Sequence, residues 1–124
     1  MNDVPLHSCR ILIVEDEYLL ADELQVELEN CGAIVIGPIA GIAEAMQTIA
    51  ATANLDGAIL DINLKGEMVF PVAEQLQDRR IPMLFVSGYD AIAIPPRFGS
   101  TPRCEKPIGV RHIVEALART MQRT

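Results

Sequence analysis

Short apolar runs in this chain end in carboxylates. Arg10-Ile11-Leu12-Ile13-Val14 is followed by Glu15-Asp16-Glu17, and Gly57-Ala58-Ile59-Leu60 by Asp61. If the two runs are neighbouring parallel strands, the acids gather at one edge of a sheet. Like charges held a few ångströms apart are costly unless a proton or a cation intervenes. Asp16 and Asp61, with Glu15 beside them, are oxygen ligands suited to Mg2+, an ion that keeps several waters and needs one or two direct carboxylates. The backbone carbonyl of Asn63 can complete the protein's share, and Glu15 can act through a bound water. Glu17 is read instead as an acid favoured by the positive end of the following helix.

Two further residues point to the same edge. Ser87 closes the run Met83-Leu84-Phe85-Val86, and Lys106 follows a brief strand around Arg103–Glu105. Phosphoryl transfer needs little beyond positioning and neutralisation of the equatorial oxygens. With Mg2+ and Lys106 supplying positive charge and Ser87 a donor, Asp61 becomes a nucleophile that can carry a phosphoryl group.

The elements that must position these residues alternate in type, which predicts a parallel α/β sheet. Strands are expected at 10–14, 33–36 (ended by Gly37-Pro38), 57–61 and 83–86, with a fifth around 103–105. Between them lie stripes of helical period. Leu20, Leu24 and Leu28 mark a helix from Tyr18 to Asn30, stopped by Cys31-Gly32. Ile42, Ala45, Met46 and Ile49 mark a second, and Val69, Val72, Ala73 and Leu76 a third, with Pro71 in its first turn. Val110, Ile113, Val114, Leu117 and Met121 mark the last. The segment 88–102 holds Gly88, Pro95, Pro96, Gly99 and Pro102, and an internal proline costs a helix about 3 kcal/mol. The fourth helix of the series is therefore expected to be short or missing, with at most one turn at Asp90–Ile94. In a five-stranded sheet of order 2-1-3-4-5, the ligand crevice lies at the carboxyl ends of strands 1 and 3. Those are the strands that end in the acids.

Composition excludes several function classes. A chain of 124 residues, half of them apolar, fits one compact domain. A net charge of −7 argues against nucleic-acid binding, because Arg79-Arg80 and Arg97/Arg103 are the only basic concentrations. No apolar stretch approaches the roughly 20 residues that span a bilayer, and Met1–Arg10 lacks the pattern of a signal peptide, so a cytoplasmic protein without membrane contact is expected. Cys9, Cys31 and Cys104 read as reduced thiols. His7 and His112 have no partner at zinc spacing.

The motifs Ile-Leu-Ile-Val-Glu15-Asp16-Glu17, Leu60-Asp61-Ile62-Asn63-Leu64, Phe85-Val86-Ser87-Gly88 and Glu105-Lys106-Pro107, in this order, resemble those of bacterial two-component response-regulator receiver domains. The resemblance runs from Arg10 to about Gln122. It implies a flavodoxin-like (βα)5 fold and a single, stand-alone receiver domain over 1–124 with its core at 10–122. It also implies Asp61 as phospho-acceptor, Glu15 and Asp16 as the acidic pair for Mg2+, Ser87 as switch hydroxyl and Lys106 as the phosphate-sensing lysine. The Lys106-Pro107 bond is expected to be cis, as is usual in this family. The implied function is that of a signalling module rather than an enzyme. It would accept phosphate from a sensor histidine kinase or a phosphotransfer protein and pass the signal to a downstream protein.

The chain departs from the family pattern at three places. Arg103 stands where receivers usually carry an aromatic switch, Lys65 stands where many have proline, and the 88–102 segment replaces a full helix. With Phe85-Val86-Ser87-Gly88-Tyr89, these features resemble a receiver subgroup with a Phe-Ala-Thr-Gly-x-Tyr type motif, often associated with kinases of the HWE type. Tyr89 reads as a loop anchor rather than a substitute switch, and 88–102 as the segment that phosphorylation remodels. Two other readings compete. One is a phosphorylation-independent module that has kept the fold, favoured by the missing aromatic. The other is an aspartyl-phosphate hydrolase, disfavoured because Asn63 stands where such enzymes have their second acid.

Overall fold

The computed structural model describes residues 6–88 and 93–122. Five strands, β1 (Arg10–Val14), β2 (Ile34–Ile39), β3 (Gly57–Asp61), β6 (Met83–Ser87) and β7 (Arg103–Glu105), form one parallel sheet in the order β2-β1-β3-β6-β7. Counted among themselves, these strands follow the expected order 2-1-3-4-5. Between β3 and β6 lie the two-residue strands β4 (Asn63–Leu64) and β5 (Glu67–Met68), which pair as a small hairpin.

Successive side chains of a strand point to opposite faces, so each strand feeds two cores. Leu12, Val14, Ala58, Leu60, Met83 and Phe85 pack with Ala45 and Ile49 of α2 (Ile42–Ala51) and with Val72 and Leu76 of α3 (Phe70–Asp78). Ile11, Ile13, Ile59, Leu84 and Val86 pack instead with Leu24 and Leu28 of α1 (Tyr18–Asn30) and with Ile113, Val114 and Leu117 of α4 (Val110–Gln122). β3 and β6 are buried on both faces, which accounts for their unbroken apolar sequence.

Helix α1 ends as its sequence predicts. Gly32 takes φ +83°, its N–H bonds the Glu29 carbonyl, and the Ala33 N–H bonds that of Leu28. This is the paired closure that a left-handed glycine allows. Strand β2 differs from expectation, because it runs through Gly37-Pro38 to Ile39 instead of stopping before them. Proline removes a ladder donor, but β2 is an edge strand and tolerates the loss. The register with β1 shifts there, and Val14 pairs with Ile39. Gly37-Pro38 and Lys106-Pro107 are both cis, the second as the family resemblance implies.

Between β6 and β7 the described residues hold only the 3-10 turn Pro96–Phe98, in keeping with a short or missing fourth helix. Tyr89 and most of Asp90–Ile94 lie outside the described residues. The rest of this connection is anchored more firmly than its composition suggests. Phe98 is buried against Phe70 and Phe85, with centroids 5.7 Å away. Arg97 bonds Gln77 Oε1 at 2.6 Å and Asp78 Oδ1 at 3.0 Å. No disulfide joins the half-buried Cys9, Cys31 and Cys104, and burial raises each thiol above its ordinary pKa.

Candidate phosphoryl and metal site

Backbone bonds place Glu15, Asp61, Ser87 and Lys106 at the carboxyl edge of the sheet. The Glu15 N–H bonds the Ile39 carbonyl, which fixes the chain just past β1. Asp61 pairs with Val86, and the next residue, Ile62, bonds the Val86 carbonyl at 2.9 Å. The Lys106 N–H bonds the Ser87 carbonyl at 2.7 Å, which ties the end of β7 to the end of β6.

Asp61 and Glu15 are both buried. Asp61 Oδ1 accepts the Asn63 N–H at 3.1 Å, and Oδ2 accepts from Lys106 Nζ at 3.1 Å. Glu15 Oε2 accepts the Glu17 N–H at 3.0 Å and lies 3.4 Å from Lys106 Nζ. The other Glu15 oxygen, Oε1, is buried without a hydrogen-bond partner among the described residues. Burial first, and then the neighbouring Asp61 carboxyl, push Glu15 up to about 8. Burial alone would depress Lys106, but Glu17, Glu15 and Asp61 outweigh it and raise the ammonium above its ordinary value.

Glu15, Asp16 and Asp61 each offer an oxygen within 4.8 Å of the others. Three hard oxygens so close make a donor set that fits a divalent cation. A cleft of about 350 Å³ opens beside them, lined by Asp16, Glu17, Asp61, Asn63, Lys106 and the hairpin turn Lys65-Gly66, with Gly88 at its border. Of the residues expected at the site, Asp61, Lys106, Glu15 and Asp16 come together and Asn63 lines the cleft. Ser87 is buried at the end of β6 and does not line it, whereas its neighbour Gly88 does.

Two cleft residues exceed the sequence reading. Glu17 stands at the N-cap of α1, as expected, and its Oε1 also accepts from Lys106 Nζ at 2.6 Å. Lys65 takes φ +53° beside Gly66 at φ +93°, the backbone of a two-residue type I′ turn. The Gly66 N–H bonds Asn63 Oδ1 at 2.7 Å and sets this turn at the lip. The glycine after Lys65 was the available signal. Asn or Asp, the usual companion of such a turn, is absent.

The fold matches known structures. The chain is 36% identical to SdrG from Sphingomonas melonis Fr1, with 92% of this chain and 97% of that one covered and a TM-score of 0.78. SdrG from Pseudomonas melonis Fr1 in its BeF3-activated conformation is 34% identical, with 98% and 99% covered and a TM-score of 0.73. The receiver domain of the TMAO respiratory system response regulator TorR is 26% identical, with 93% and 98% covered and a TM-score of 0.79. The chain belongs to the response-regulator receiver family. No protein-family model and no curated protein matches it. As a receiver it carries the family's acidic cluster at the carboxyl edge of its sheet. No helix among the described residues is long and apolar enough to cross a membrane.

Proposed function

We propose that this receiver accepts a phosphoryl group on Asp61 in a Mg2+-dependent reaction and signals through a phosphorylation-dependent contact with a downstream protein. The observation that carries this reading is the buried Asp61 carboxylate, open to the cleft and held between the Asn63 N–H and the Lys106 ammonium. An Asp61 oxygen attacks phosphorus, the phosphorus–nitrogen bond of a phosphohistidine breaks, and the released imidazole nitrogen takes a proton from solvent. Lys106 neutralises the charge gathering on the transferred oxygens, and Ser87 is the hydroxyl that senses the product. Glu15, Asp16, Asp61 and the Asn63 carbonyl would hold Mg2+, which when bound supplies further neutralisation of those oxygens. The donor is a sensor histidine kinase, of the HWE type in this reading, or a phosphotransfer protein. The protein acts in the cytoplasm as a signalling module rather than as an enzyme.

Incubation with Mg2+ and acetyl phosphate, followed by intact-mass measurement, tests the reading. One added phosphoryl group is expected on the wild type and none on Asp61→Asn. No gain on the wild type, or an equal gain on the variant, would overturn it.

A further inference from the structure

The ammonium of Lys106 has three protons and already has three carboxylate partners. Its Nζ lies 2.6 Å from Glu17 Oε1, 3.1 Å from Asp61 Oδ2 and 3.4 Å from Glu15 Oε2. Phosphorylation turns the Asp61 carboxylate into an acyl ester, which weakens its own hold on the ammonium, and the phosphoryl group offers three oxygens where Asp61 Oδ2 offered one. Serving more than one of them requires a second partner to leave. Glu15 is fixed, with its side chain 1% exposed and its Oε2 held by the Glu17 N–H. Glu17 is 62% exposed, and its carboxylate can turn into water at little cost. The shortest of the three contacts is therefore also the most easily released.

We propose that Glu17 is a positioning residue that holds Lys106 across the cleft mouth in the unphosphorylated state and competes with the phosphoryl oxygens for its ammonium. This inference rests on Asp61 being the phospho-acceptor. Glu17 sets how firmly the phosphorylated state is held without touching the phosphoryl group. An exposed ion pair is weak, so its release shifts the balance by about two- to fivefold. The side chain lines the cleft on the α1 side, and the Lys65 turn lines it after β3. As Glu17 leaves, the mouth loses a negative charge where an anion is to be bound.

Beryllofluoride with Mg2+ serves as the phosphoryl mimic, since the related SdrG takes a BeF3-activated conformation. Its dissociation constant is measured for the wild type and for Glu17→Gln, and the Lys106 Nζ resonance is followed by NMR in each. Glu17→Gln is expected to bind two- to fivefold more tightly. The same substitution should move the Lys106 resonance in the free protein but not in the beryllofluoride-bound protein, where Glu17 has already left. No response of the wild type would overturn the phosphoryl reading itself. Equal affinities in the two proteins would overturn only the role of Glu17. Tighter binding with an unmoved Lys106 resonance would assign the effect to the general field of the carboxylate and overturn it as well.

Discussion

At the amino ends of the strands, Arg79 donates to the carbonyls of Ile49 at 2.6 Å, Thr52 at 2.9 Å and Ala53 at 3.1 Å. One guanidinium thereby closes the end of α2 against the end of α3, satisfying acceptors that a helix terminus leaves open. At the carboxyl ends of the same strands, Glu15, Asp16 and Asp61 crowd together, one buried oxygen has no partner among the described residues, and a single lysine serves three acids. Donors at the first end meet acceptors that need them. At the second, negative charge exceeds what the chain can neutralise, and a cation would offset that excess before an anionic group could be held there. Satisfied hydrogen bonds gather at one edge of the sheet and unbalanced charge at the other.

The largest expected effect tests that contrast directly. Removing the ammonium with Lys106→Met leaves the buried acids uncompensated and should cost about 2–3 kcal/mol in metal-free protein near pH 8, below the range for a fully buried pair because Lys106 is partly exposed. Saturating Mg2+ should restore most of that loss in urea unfolding. A loss that Mg2+ leaves untouched would deny the acids a metal.

Proton linkage should produce the next effect. Glu15 is held near 8 in the fold against an ordinary value of 4.5, so the folded state keeps a proton that the unfolded chain has lost between these values. Its contribution is therefore fully present below about 4.5 and lost as pH rises through about 8. Mg2+ must displace that proton, and its affinity should climb with pH toward 8, approaching tenfold per unit. Calorimetric titration at several pH values checks the slope, and a flat profile would contradict a protonated Glu15.

Arg79→Ala should cost about 1–2 kcal/mol, since several net hydrogen bonds disappear at an exposed position. Mg2+ affinity should not change with it. If metal binding weakened in parallel, the two edges would not be separable. The smallest effect belongs to Arg80, which sits at φ +57° after α3. Arg80→Gly relieves the left-handed strain and should stabilise by about 0.5 kcal/mol after the entropy cost of glycine.

The contrast between the edges also explains what could be read in advance. Strand ends are legible because apolar runs such as Gly57–Asp61 stop at polar residues, and the alternation with helical stripes gives a parallel sheet, for which 2-1-3-4-5 is one of the common orders. The ends of those strands put Glu15, Asp16, Asp61 and Lys106 at one edge. Strand β2 outruns its sequence signal because proline reads as a stop, whereas an edge position removes the penalty. The β4–β5 hairpin escaped because strands of two residues carry no periodicity, and Lys65 is an unusual residue for its turn. Glu17 stands at the helix end as its position predicts, but its ion pair escapes a sequence reading because the partner is 89 positions away, a distance that no local pattern spans.

Phosphoryl attachment at Asp61 is the central claim, and mapping the modified residue tests it most directly. After reaction with Mg2+ and acetyl phosphate, borohydride reduces an aspartyl phosphate to homoserine, and peptide sequencing by mass spectrometry locates the change. Homoserine at position 61 alone is the expected result. Homoserine at position 16, or an intact Asp61 in phosphorylated protein, would contradict the account.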